Sequence, residues 1–253
     1  MLNKNKPKSA IIFAAGMAKR LGDLTINTAK ACLQLADNWT LLDRQIERIA
    51  ANNFSQITIV TGHAQDSIIK VCEKWQNKIQ INLIFNKHYF DRNNIYTAYI
   101  VKDLIGDNVL ILNSDIIVAN EIIDSACQKL SDNKSFMVID VRDTLIDEDM
   151  KVTVNESNYI NRINKNLDNS KSLGEYIGIM SISSQDQKAF AKSLEDMIAR
   201  EDFNKYYEDA LDEITDKLQL EVLPTEGFSW TEMDTVEDYQ KAKNIYESFL
   251  KTA

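Results

Sequence analysis

Arg20 and Lys30 follow the run Ile11-Ile12-Phe13-Ala14-Ala15-Gly16, and together they could neutralise a polyphosphate. The guanidinium is a planar fork that matches phosphate oxygens, and the ammonium is a compact point charge. Ala14, Ala15 and Gly16 have side chains small enough for a ligand to lie against the backbone, where exposed N–H groups hold phosphate oxygens. A third chemical group, Asp115, stands just beyond the apolar Leu110-Ile111-Leu112. In open α/β sheets ligands bind outside the carboxyl ends of strands, so Asp115 is expected on the rim of the phosphate loop as a magnesium ligand. The alternative for a strand-end Asp is a turn residue or helix cap.

These groups need elements to hold them. Ser9 to Phe13 suits a buried parallel strand opening into the loop. Thr40 predicts a helix cap, with Asp43 closing a capping box and the helix running to about Asn52. Gln56 to Thr61 is a β-rich run ended by Gly62, and Ala64 to Trp75 carries Ile68, Ile69, Cys72 and Trp75 at helical spacing. Strands are expected over Ile79 to Phe85 and Asn108 to Leu112, with a helix from Asn94 between them. Thr235 predicts the cap of a final amphipathic helix with Val236, Tyr239, Ala242, Tyr246 and Phe249 near one face. This alternation is the pattern of an α/β fold, a mostly parallel sheet covered on both faces. No linker, repeat or low-complexity block divides the chain, so residues 1–253 are expected to form a single domain.

Composition narrows the class. With 38 acidic against 29 basic side chains, the chain is net acidic, which argues against nucleic acid and anionic membranes as partners. Cys32, Cys72 and Cys127 are odd in number and widely separated, which fits free thiols in a reducing cytoplasm. His63 and His88 are too few for a histidine metal cluster. Lys4, Lys6 and Lys8 before the apolar residues mimic a signal peptide, but the apolar run is short and meets Lys19-Arg20 at once. The final helix is expected to pack on its own sheet; a homo-oligomer stays open.

The amino-terminal run resembles the signature of nucleoside-triphosphate-dependent nucleotidyltransferases, roughly L-A-A-G-x-G-[ST]-R, then x-x-x-T, then P-K. Ala14-Ala15-Gly16, Arg20, Thr25 and Lys30 match, while Ala18, Lys19 and Ala29 stand at the second glycine, the Ser/Thr and the proline. The resemblance implies a Rossmann-like three-layer α/β/α sandwich of the GT-A-like kind, with a small acceptor-side β subregion. It gives Arg20 and Lys30 catalytic roles, and Ala14, Ala15 and Gly16 nucleotide contacts. Asp234 resembles the family's second metal aspartate, so that Asp115 and Asp234 would clamp Mg²⁺, with Glu232 in support. Two carboxylates suffice because Mg²⁺ keeps waters and phosphate oxygens as its other ligands.

The middle of the chain resembles the phosphocholine, aminoalkylphosphonate and inositol-phosphate cytidylyltransferases. Asn93 and Asn94 then contact nucleotide or acceptor, a helix cap being the equal alternative for Asn94. Lys151, Glu175, Glu208, Asp209 and Trp230 fall on the acceptor side. Asp147-Glu148-Asp149-Met150-Lys151-Val152 lacks the aromatics of the phosphocholine enzymes and looks like the segment of the phosphonate or inositol-phosphate relatives. The implied reaction is transfer of CMP from CTP to a small phosphorylated or phosphonate acceptor, with release of pyrophosphate. The alternatives are a sugar-phosphate nucleotidyltransferase using another triphosphate, a nucleotide-sugar glycosyltransferase, and a noncatalytic nucleotide-binding protein.

Overall fold

A computed structural model describes residues 7–252; Lys4 and Lys6 of the basic run lie outside the described residues. The strands form a mixed central sheet with flanking helices, a Rossmann-like α/β fold. The described residues divide into two compact units, one comprising residues 7–90, 112–125 and 228–252, the other 91–111 and 126–227.

The first unit holds the parallel part. Strand Ser9–Ala14 pairs with Gln56–Thr61 in the register Ile12↔Ile59, and Gln56–Thr61 pairs in turn with Gln80–Phe85. Helix Leu41–Ala51 makes the first crossover. Thr40 accepts the Asp43 N–H through its hydroxyl while the Asp43 carboxylate takes the Thr40 N–H, the expected capping box. Helix Gln65–Glu73 makes the second crossover, with Ile68 and Cys72 buried and Ile69 only partly so. Asp43 also receives the Trp75 indole N–H at 2.8 Å and the Lys74 ammonium at 2.9 Å, so one buried carboxylate caps one helix and anchors the end of the next. Burial opposes its charge, yet these donors hold it below the usual carboxylate range.

The final helix, Val236–Thr252, begins with a second box in which Thr235 and Asp238 exchange N–H bonds of 3.1 and 2.9 Å. Its Ala242 and Tyr246 join Leu21, Leu33, Leu35, Leu41, Ile117 and Met233 in one apolar cluster, against which Tyr239 and Phe249 pack. Val236, expected on that face, is exposed, because it is the first residue of the helix and precedes the buried stripe.

The second unit carries the smaller mixed β region. Strand Gly174–Ser181 pairs antiparallel with Phe136–Val141 and with Lys151–Val154, and Glu221–Pro224 pairs parallel with Phe136–Val141. Helix Asn94–Ile100 buries Ile95 and Ala98, and its cap is Asn93, one residue before the expected start. Cys32, Cys72 and Cys127 are buried and, among the described residues, none is joined in a disulfide. Among the described residues no helix is long and apolar enough to cross a membrane.

Candidate active site

Strand Ser9–Ala14 ends in a loop that turns on Ala18, which has φ 50° and ψ 43°. That left-handed conformation suits glycine best and costs an alanine roughly 1–2 kcal/mol. The loop is nevertheless closed firmly. The Thr25 hydroxyl donates to the Ala18 carbonyl at 3.1 Å, and the His63 N–H donates to the Ala15 carbonyl at 3.2 Å. A Cβ on Gly16 would meet nothing within 4 Å, so the backbone there is open to an approaching ligand. By contrast, a Cβ on Gly62 would lie 2.6 Å from the Ala15 carbonyl oxygen and 2.5 Å from the Tyr89 Cβ. Only glycine lets the second strand end pass this close to the loop.

Two acids distant in sequence meet next to this loop's cations. Strand Trp230–Glu232 pairs antiparallel with Ile116–Val118, with Glu232 opposite Ile116, and the Met233 N–H donates to the Asp115 carbonyl at 2.8 Å. That ladder brings Asp234 beside Asp115. Lys30 Nζ lies 2.7 Å from a carboxylate oxygen of each, and the Arg20 guanidinium pairs with the other oxygen of Asp234. Burial alone would lower the Lys30 pKa, but Asp115 and Asp234 overcome it and hold the ammonium well above its ordinary value. The Lys30 pairs are mostly shielded and so matter for stability as well as chemistry, whereas the exposed Arg20 pair contributes ~1 kcal/mol or less.

Asp115, Glu232 and Asp234 each offer a carboxylate oxygen within 4.8 Å of the others. Asp115 Oδ1 is buried with no hydrogen-bond partner. A small set of hard oxygen donors with one unsatisfied buried atom suits a divalent ion such as Mg²⁺. Trp230 lies on the same strand, two residues before Glu232 and on the same side of it.

The remaining sequence-derived candidates belong to the second unit. Asn93 Oδ1 accepts the Asn94 N–H at 2.7 Å, and Asn94 Oδ1 accepts the Tyr207 N–H at 3.1 Å, so both amides have backbone partners. The Lys151 side chain is buried, donating to the carbonyl oxygens of Asp147 and Lys165. Asp209 caps helix Tyr207–Asp212, taking the Tyr206 N–H at 2.8 Å, and accepts from Asn164 at 3.2 Å.

Glu175 and Glu208 differ from these. Arg142, which the sequence did not single out, pairs with Glu175, with Asp149 at 2.9 Å and with Asp140 at 3.0 Å. Burial, reinforced by Asp149, pushes the Glu175 carboxyl up to about 7 against the pull of Arg142. Glu208 is buried beside the hydrogen-bonded hydroxyls of Tyr176 and Tyr207, and burial likewise pushes it up to about 7. Its Oε2 has no hydrogen-bond partner. The pairing of Arg142 has a partial signal in the strand register that sets Glu175 opposite Asp140.

Fold and site together define an α/β protein with a cation-bearing strand-end loop facing paired acids. Residues 9–147 match the family model described as nucleotidyl transferase. Over 102 residues the chain is 34% identical to the choline-phosphate cytidylyltransferase of Streptococcus pneumoniae (strain ATCC BAA-255 / R6), covering 40% of this chain and 42% of that one. Over 247 residues it is 24% identical to the bifunctional IPC transferase and DIPP synthase of Aquifex aeolicus (strain VF5), covering 97% of this chain and 53% of that one. The chain thus spans about half the length of the curated relatives it matches. The solved structure of CTP:phosphocholine cytidylyltransferase from Streptococcus pneumoniae superposes with a TM-score of 0.78 at 24% identity, covering 95% of this chain and all of that one, a likeness of fold. The chain belongs to the nucleotidyl transferase family.

Proposed function

We propose that this chain is a magnesium-dependent cytidylyltransferase, moving CMP from CTP to a small phosphorylated or phosphonate acceptor and releasing pyrophosphate. The observation that carries this reading is Lys30, whose ammonium lies 2.7 Å from both Asp115 and Asp234 while Arg20 holds the same Asp234. The choice of CTP and of a phosphorylated acceptor draws support from the name of the 34%-identical relative, a choline-phosphate cytidylyltransferase.

An anionic oxygen of the acceptor attacks the α-phosphorus of the triphosphate. As that P–O bond forms, the bond to the bridging oxygen breaks and pyrophosphate leaves with the electron pair. The acceptor is already a nucleophile, so no covalent protein intermediate is needed. Arg20 neutralises the leaving phosphates and Lys30 bridges donor and acceptor charge, staying protonated because its pKa is raised. Asp115 and Asp234, supported by Glu232, would hold the magnesium ion, which supplies further charge neutralisation at the phosphates. Ala14, Ala15 and Gly16 present backbone to the nucleotide. Glu175 and Glu208, with Lys151, Asp209 and Trp230, are assigned to the acceptor side, where the two raised carboxyls would meet an amine or hydroxyl.

Pyrophosphate release is measured with each triphosphate against phosphocholine, 2-aminoethylphosphonate, inositol phosphate and sugar phosphates. CTP with one of the first three is expected to turn over fastest. Lys30→Ala and Asp115→Ala are each expected to lose at least about two orders of magnitude in kcat while keeping the parental circular dichroism. Near-parental release by either variant refutes the assignment, and a preference for another triphosphate refutes the cytidine part.

A further inference from the structure

We propose that Ser67 is a positioning residue for Lys30, acting through the backbone amide of Ala29; this rests on the reading of Lys30 as the cation at the reacting phosphates. Ala29 is buried, and its N–H donates to Ser67 Oγ at 2.9 Å. The Ser67 hydroxyl donates onward to the Ala64 carbonyl at 2.7 Å, so its single proton is used and its lone pair faces Ala29. Ala64 itself has φ 49° and ψ 41° and starts helix Gln65–Glu73. The Ala29 carbonyl takes the Cys32 N–H at 2.7 Å, closing the short turn Lys30–Cys32 that presents the ammonium. Both ends of the Ala29 residue are therefore tied, one to its own turn and one to the helix.

The same segment holds the other cation-bearing stretch. The His63 N–H bonds the Ala15 carbonyl at 3.2 Å, and His63 Nε2 lies 2.6 Å from the Thr25 carbonyl. A carbonyl only accepts, so Nε2 carries the proton there. Residues 62–67 thus brace the loop of Arg20 through His63 and the turn of Lys30 through Ser67. The Ser67 link is one hydroxyl wide, and a buried amide that loses its acceptor pays the full desolvation penalty. The Ala29 backbone, at φ −63° and ψ 142°, has the φ that a proline ring fixes. Proline at this position removes the donor that Ser67 serves and sets the same backbone direction into Lys30.

Ser67→Ala, Ala29→Pro and the double variant are compared in the full chain. Ser67→Ala is expected to lower kcat about tenfold or more with KM for CTP changed less than threefold, and the double variant to recover most of that loss. Exchange of the Ala29 amide, followed by NMR, is expected to quicken at least tenfold in Ser67→Ala. A Ser67→Ala kcat within twofold of the parent overturns the proposal. So does a loss that Ala29→Pro fails to repair and that tracks a fall in thermal midpoint, since that pattern is plain destabilisation. If the parent turns over no triphosphate, the function assigned above falls, and amide exchange alone decides the brace: unchanged protection of Ala29 in Ser67→Ala overturns it, and lost protection upholds it.

Discussion

Gly22 combines φ 55° with ψ −129°, a region closed to residues with a Cβ, and a Cβ there would meet nothing within 4 Å. The conformational demand is therefore purely one of backbone. Gly22→Ala is expected to destabilise the fold by about 1–3 kcal/mol, read from urea unfolding at constant m; an unchanged midpoint would mean that the turn relaxes into another conformation at no cost. Residue chemistry was partly legible in the chain. The types of Arg20, Lys30, Asp115 and Asp234 are those that the proposed phosphate and metal chemistry calls for, but that Asp234 takes both cations at once depends on a ladder between Trp230–Glu232 and Ile116–Val118, which no local spacing reveals. Lys151 shows the converse. As a residue type it suggests an anion partner, while two of its ammonium's three protons go to backbone carbonyls, that of Asp147 four residues earlier and that of Lys165 fourteen residues on.

At the scale of elements, the short helix Tyr207–Asp212 and the strand Gly174–Ser181 each carry a carboxyl whose pKa is raised from the ordinary 4.5 to about 7. In the interval between those values the folded chain holds protons that the unfolded chain has released. Stability from Glu208 and Glu175 is thus complete below about pH 4.5 and declines as pH rises through about 7. Urea midpoints measured across this interval are expected to fall with rising pH, and Glu208→Gln is expected to flatten the slope; an equal slope in parent and variant would show that Glu208 ionises normally. The elements themselves were well marked where polar chemistry is local. Thr40 with Asp43 could be read as a capping box, and Thr235 as a cap, because the partners lie within one turn; that Asp238 closes a second box with Thr235 is seen only in the structure. The Arg142 cluster could not be read in the same way: Asp140 lies two residues before Arg142, but only the strand register brings Glu175 opposite Asp140, and Asp149 comes from outside both strands.

For the whole molecule, net charge and sheet arrangement set the limits. With a formal charge of −9, the phosphate affinity proposed above would have to come from the local group of Arg20 and Lys30. The chain is expected to be retained on an anion exchanger and to pass through heparin at about 0.1 M salt, where charges beyond ~10 Å are screened; retention on heparin would reveal an extended basic face. The α/β class was readable from the alternation of β-rich runs with capped helices, and parallel pairing of Ser9–Ala14, Gln56–Thr61 and Gln80–Phe85 follows from that order. The division into two compact units was not, because each is assembled from stretches that interleave along the chain with no change of composition between them. The tight passage at Gly62 bears on how such a sequence can drift. That residue offers no functional group, yet any heavier replacement would have to displace Ala15 or Tyr89, so a substitution there is expected to be rejected on grounds of crowding instead of catalysis.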